Sequence, residues 1–123
     1  MTRLQLSKNF TIEEFDCRDG TPVPDKYIPN VQKLVHTILQ PLRDILRKPI
    51  HINSGYRTPA YNKKVGGKPR SQHLSAKAAD ITIRDLPPAA VADYLERQFN
   101  PPGLGRYKGF THVDIRSGKR ARW

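Results

Sequence analysis

The chain has one cysteine, Cys17, in 123 residues. An internal disulfide is therefore excluded, and with it the stapled scaffold of a small secreted domain. Cys17 has no Cys–His motif around it and reads as a small buried thiol. Acidic side chains are also scarce, 11 against 22 Lys and Arg, which leaves a net charge of +11. No apolar run approaches the roughly 20 residues that span a bilayer, so no membrane span is predicted. The opening residues, Met1 to Lys8, are too short and too polar for a secretion signal. The expectation is synthesis as a soluble cytoplasmic chain, carried by other means to any target outside the membrane. Repeats, low-complexity tracts and interdomain linkers are missing too. Residues 1–123 thus read as one domain, long enough to bury a core unaided.

The positive charge is unevenly placed. Residues 57–84 hold seven basic side chains and one acidic, and residues 106–123 hold six and one, whereas residues 85–105 hold one and three. A field of one sign around a cleft attracts anionic partners and speeds their encounter. Nucleic acid, anionic lipid and anionic cell-wall polymer all qualify. The plainer alternative is a solubility surface, but solubility alone does not require such clustering.

Apolar periodicity predicts the elements. Phe10 to Phe15 reads as a helical turn capped by Thr11. From Asn30, Val31, Leu34, Val35, Ile38, Leu42, Ile45 and Leu46 form one helical stripe, which Pro41 should kink or interrupt. His36 falls on the polar side and reads as a surface histidine. Pro49 to Asn53 alternates as a strand, Ser54 to Pro59 turns, and residues 61–72 read as a long polar loop. Ala78 to Ile83 is a second strand. Pro87 and Pro88 open a helix with an apolar face of Val91, Tyr94, Leu95 and Phe99, and Asn100 to Gly103 stops it. Gly105–Tyr107 and Thr111–Ile115 are further strands, joined by a turn at Lys108-Gly109. The order suggests an α+β fold with a small, mainly antiparallel sheet and flanking helices.

Histidine is rare as well, and two of the four fall in the most informative stretches: Ser71-Gln72-His73 running to Ala79-Asp80, and Thr111-His112-Val113-Asp114. Two histidines and a carboxylate form a common protein ligand set for a catalytic zinc. A loop ligand, His73, would precede a strand ligand, Asp80. Antiparallel pairing of the two predicted strands would set Asp80 beside His112.

The flanking residues sharpen this pattern. Ser54-Gly55-Tyr56-Arg57, Tyr61-Asn62, Val65-Gly66-Gly67, Ser71-Gln72-His73, Ala79-Asp80-Ile81 and His112-Val113-Asp114 follow one another in an order and at gaps that resemble the D-alanyl-D-alanine metallopeptidases. That family includes zinc D,D-carboxypeptidases, vancomycin-resistance dipeptidases and phage endolysins, and its fold is similar to the hedgehog signalling domain. The chain looks most like the compact single-domain type, over Phe10 to Trp123. The resemblance implies Zn2+ held by His73, Asp80 and His112. It also implies that Arg57 binds substrate and stabilises the oxyanion, and that Ser71, with Gln72 and Tyr56, contacts substrate. The implied reaction is hydrolysis of peptide bonds in peptidoglycan stem peptides or cross-links, by a D,D-carboxypeptidase or endopeptidase.

Two positions depart from the family pattern. Ala76 stands where many relatives have glycine, a change expected to be tolerated unless the backbone there needs positive φ. Gly109 stands where several branches place an acid three residues before the last histidine ligand. Asp114, on the same strand face as His112, is then the nearest carboxylate. It is either a general base, a residue that orients a ligand, or a further ligand; His51 is a weaker candidate and reads as structural. The leading expectation is a monomeric zinc peptidase of cell-wall degradation, delivered to the wall by a holin or by injection. The alternative is a zinc-containing wall-binding module that is catalytically weak or inactive, motivated by Gly109. Nucleic-acid binding comes last, since only the charge supports it.

Overall fold

In the computed structural model, which describes residues 3–123, the expected α+β architecture is built around one five-stranded sheet. Strands β1 (Gln5–Ser7) and β2 (Phe10–Thr11) form a separate small hairpin that the sequence did not announce. A 3-10 turn, Ile12–Phe15, follows, with Thr11 as its cap residue and the Glu14 carboxylate accepting the Thr11 N–H at 3.0 Å. The main sheet comprises β3 (Ile50–Ser54), β4 (Ala78–Ile83), β5 (Gly103–Arg106), β6 (Thr111–Asp114) and β7 (Ala121–Arg122). Its order is β3-β4-β6-β5-β7, antiparallel throughout except for the β5–β7 pair. No helix among the described residues is long and apolar enough to cross a membrane.

The long helix covers one side of the core. Helix α1 (Ile28–Leu34) runs through a π-helical stretch, Val35–Leu39, into α2 (Gln40–Leu46). Pro41 neither ends the helix nor leaves it regular. Proline has no N–H to give and its ring crowds the carbonyl four residues back; a wider π turn just before it relieves that crowding. Val31, Leu34, Val35, Ile38 and Leu42 are buried as the stripe requires. Ile45 is not, being 56 % exposed, and Leu46 is half-buried. Both lie in the last turn of α2, after which Arg47 takes a left-handed φ of 54° and ends the helix before β3. His36 is exposed as expected, its ring bonded to the Leu6 carbonyl.

Residues 61–72 are not one loop. Thr58 caps a helix, α3 (Pro59–Lys64), its hydroxyl accepting the Tyr61 N–H, with Pro59 at the first helical position. Thr-Pro is a helix-start signal that the Lys- and Gly-rich composition obscured. Helix α4 (Pro88–Gln98) forms where Pro87 and Pro88 placed it and buries Val91, Ala92 and Leu95. Its stop was set too late: Gly103 already belongs to β5, so that strand is Gly103–Arg106 and not Gly105–Tyr107. Phe10, Phe15, Leu34, Leu39, Ile52, Ile81, Leu95, Leu104 and Val113 join the two layers in one core that contains Cys17. Each such side chain contributes about 1.5–3 kcal/mol on burial.

Candidate metal centre

Strand register brings the site together. In the β4–β6 ladder, Asp80 lies directly opposite His112, as the predicted antiparallel pairing requires. Asp80 is the third residue of β4 and only 4 % exposed. His73 arrives from a 3-10 turn, Gln72–Ser75, that precedes β4. The Ser71 hydroxyl caps this turn by accepting the His73 N–H at 3.2 Å. The turn closes through Ala76 in a left-handed conformation, φ 57° and ψ 33°. That is the geometry in which glycine would be free of strain and alanine is not, so this departure from the family pattern falls at a position that needs positive φ.

His73 Nε2 lies 3.1 Å from Asp80 Oδ1, and His112 Nδ1 lies 3.0 Å from the same oxygen. One ligand atom from each of the three residues lies within 4.8 Å of the others, and all three residues are buried. The outward nitrogens are also held. His73 Nδ1 is 2.7 Å from the Gly55 carbonyl oxygen, which can only accept, so this nitrogen carries the proton,. His112 Nε2 is 2.7 Å from Asp114 Oδ2 and is likewise the donor. With both rings neutral, the inward nitrogens present lone pairs toward a carboxylate oxygen,. Three acceptors facing one another in a buried site need a shared cation. Two imidazoles and one carboxylate are a donor set for a divalent metal ion such as zinc.

Without an ion the two histidines shift in opposite directions. Burial pushes the His73 pKa down, which favours the neutral ring a ligand needs. For Asp80 burial pulls upward, but its close contacts with His112 and His73 outweigh it and hold the carboxyl well below the usual range. Burial would lower His112, yet contacts with Asp114 and Asp80 raise it. Asp114 is lowered despite its burial by His112 and Arg116.

Arg57 is the third charged partner. Its guanidinium donates to Asp80 Oδ2 at 3.0 Å, to Ser54 Oγ at 3.0 Å and to Asn62 Oδ1 at 3.2 Å. Asn62, itself buried, donates to the Lys68 carbonyl and so ties the 65–70 segment to the site. Arg57, Ser71 and Gln72 line a cleft of about 450 Å³ that has His73, Asp80 and His112 among its walls. Tyr56 does not line it. It is 8 % exposed and its ring centroid lies 6.1 Å from that of Tyr27. His51 is exposed on β3 and does not line the cleft. Gly109 sits in an exposed turn with nothing near where a side chain would begin.

Asp114 is fully buried and absent from the cleft wall. Besides His112, its oxygens accept from the Arg116 backbone N–H at 3.1 Å, Nε at 2.9 Å and Nη2 at 2.7 Å. It lies behind His112. The room for it comes from β5, where Gly103 is its register partner: a Cβ there would lie 2.0 Å from Asp114 Oδ1. Gly105 is paired with His112, and a Cβ there would lie 2.6 Å from the Trp123 indole. The sequence reading missed both glycines, Arg116 and Trp123. The signal was available, because glycine at alternate strand positions marks a close approach.

A family model described as peptidase M15 matches residues 8–114 of the chain. No curated protein matches it.

Proposed function

The chain belongs to the peptidase M15 family, and on that premise we propose that it is a zinc-dependent peptidase acting on peptidoglycan stem peptides or cross-links, as a carboxypeptidase or an endopeptidase. The observation that carries this reading is the convergence of His73, Asp80 and His112 at 3.0–3.1 Å in the wall of a cleft. Those three residues would hold the ion. Bound zinc would polarise a scissile carbonyl and lower the pKa of a coordinated water toward neutrality.

The chain's own residues prepare that chemistry. The Gly55 carbonyl and Asp114 fix the histidine tautomers so that a lone pair faces inward from each ring. Partners of this kind orient ligands and raise their basicity. Asp114 serves in this way and not as a general base, because it is fully buried and both its oxygens are engaged. Arg57 holds Asp80 in place and keeps its guanidinium on the cleft, where a permanent charge suits a developing oxyanion or a substrate carboxylate. Ser71 and Gln72 meet the substrate at the same wall. Lys68 and Arg70 also line the cleft and make no ion pair among the described residues. They are the local source of attraction for an anionic wall polymer.

A wall-binding module without activity is the second reading. The observation favouring it is that Asp80, a ligand in this reading, is the only carboxylate among the cleft-lining residues. Purified protein should contain about one zinc per chain and release peptide fragments from isolated sacculi. Zinc-loaded protein that pellets with sacculi but releases nothing would favour the module. Protein that neither holds zinc nor touches sacculi would refute both.

A further inference from the structure

Tyr107 follows β5 at the cleft, 43 % exposed, in an arrangement more ordered than a surface tyrosine requires. Its ring stacks on Phe110, with centroids 4.4 Å apart and planes 14° apart. Its hydroxyl oxygen accepts the Trp123 indole N–H at 2.7 Å. The indole nitrogen is a donor only, so the tyrosine is the acceptor in that bond and its own O–H is left over. No described side chain or carbonyl takes that proton, and Tyr107 lines the cleft.

The indole is itself tightly placed. The Trp123 backbone bonds on both sides, donating to the Leu104 carbonyl at 3.2 Å and accepting from Arg106 at 2.7 Å. Its ring packs 4.9 Å from His112 and under the Arg116 guanidinium at 5.1 Å, over the gap left by Gly105. One aromatic ring thus separates a metal-ligand residue from a hydroxyl with a free proton. Tyr107 and His112 line the same cleft, so an extended peptide lying there, at about 3.4 Å per residue, passes both.

We propose that the Tyr107 hydroxyl, oriented by Trp123, donates a hydrogen bond to a main-chain oxygen of the bound peptide near the scissile bond and so positions the substrate. Tyr107 is a substrate-binding residue of the cleft, and Trp123 is the positioning residue behind it. The inference rests on the peptidase reading of the site.

Tyr107→Phe keeps the stack on Phe110 and removes only the hydroxyl. The test uses the zinc-loaded full chain and a defined muropeptide, with kcat/KM from product release and Kd from calorimetry. The expected result is a roughly three- to tenfold loss in kcat/KM and in affinity, the range for one neutral hydrogen bond, with zinc stoichiometry and Tm unchanged. Trp123→Phe at saturating zinc should cause a loss of the same kind. The double variant should fall short of the product of the two, since both act through one contact. A Tyr107→Phe protein that cleaves and binds within twofold of wild type overturns the inference while leaving the peptidase reading intact. Wild type that binds the muropeptide without cleaving it refutes the peptidase reading, and a weaker Kd for Tyr107→Phe would still uphold the hydrogen bond. Wild type that does neither sinks both.

Discussion

Replacing Asp114 with asparagine tests how the site is supported, because the substitution keeps the shape and removes the charge. The carboxylate accepts four hydrogen bonds, one from His112 and three from Arg116, between 2.7 and 3.1 Å. An amide can satisfy only one side. If its oxygen faces His112, its NH2 points at the Arg116 donors. If the oxygen faces Arg116, the NH2 points at His112 Nε2 and drives the imidazole proton to Nδ1, the nitrogen that faces Asp80. The first arrangement leaves buried donors unmatched, at about 1–3 kcal/mol. The second takes the lone pair from the metal. Loss of a partner that orients a ligand weakens metal binding by about 10–100-fold, equivalent to about 1.4–2.7 kcal/mol. The assay is zinc competition against a chelator of known affinity, run beside kcat at saturating zinc. The expected outcome is zinc Kd raised at least tenfold, with much of the activity restored by excess zinc. A general base would give the opposite split: unchanged zinc affinity and kcat reduced by about 10²–10⁴-fold. Zinc affinity within twofold of wild type refutes the orienting role.

Three other outcomes are expected. Gly103→Ala puts a methyl 2.0 Å from Asp114 Oδ1; urea unfolding should show a loss of about 1–3 kcal/mol from overpacking, with weaker zinc binding, and unchanged stability would mean that β5 can move aside. Neutralising Lys68 and Arg70 together to glutamine should raise KM on sacculi and flatten its dependence on salt, since steering by exposed charge is screened; an unchanged salt slope would show that the attraction lies elsewhere. In metal-free protein, Asp80 and Asp114 have lowered folded-state values, so their contribution to stability is present above the unfolded aspartate pKa of about 3.9 and is lost as pH falls below it; a Tm that stays flat from pH 5 to 2 would contradict those environments.

The parts of this molecule that could be read in advance are those set by one segment's own pattern. The helical stripe from Val31 to Leu42, the strands around Ile52, Ile81 and Val113, and the Pro87-Pro88 helix start all follow from local periodicity or capping. So does the meeting of Asp80 with His112, which needed only two adjacent antiparallel strands. What escaped depends on a partner elsewhere. Strand β7 has two residues and exists because β5 offers it an edge. The placement of Arg57 depends on Asp80, a residue 23 positions away. Helix α3 was legible from Thr58-Pro59 and was hidden by the charge around it.

The His112-Val113-Asp114 motif shows why reading one strand falls short of reading a site. Period two places His112 and Asp114 on one face, and that much is visible in three residues. Whether the face holds a buried carboxylate behind a ligand depends on the next strand. There Gly103 and Gly105 stand opposite Asp114 and His112 in register, and each lacks the side chain that would fill the space. The first gap admits the carboxylate, and the second admits the indole that packs on His112 and meets Tyr107. A larger residue at either position would displace a group that touches a metal ligand. The informative unit is therefore the pair of strands, a Gly-x-Gly facing a His-x-Asp, in which the missing side chains specify the site as firmly as the ligands do.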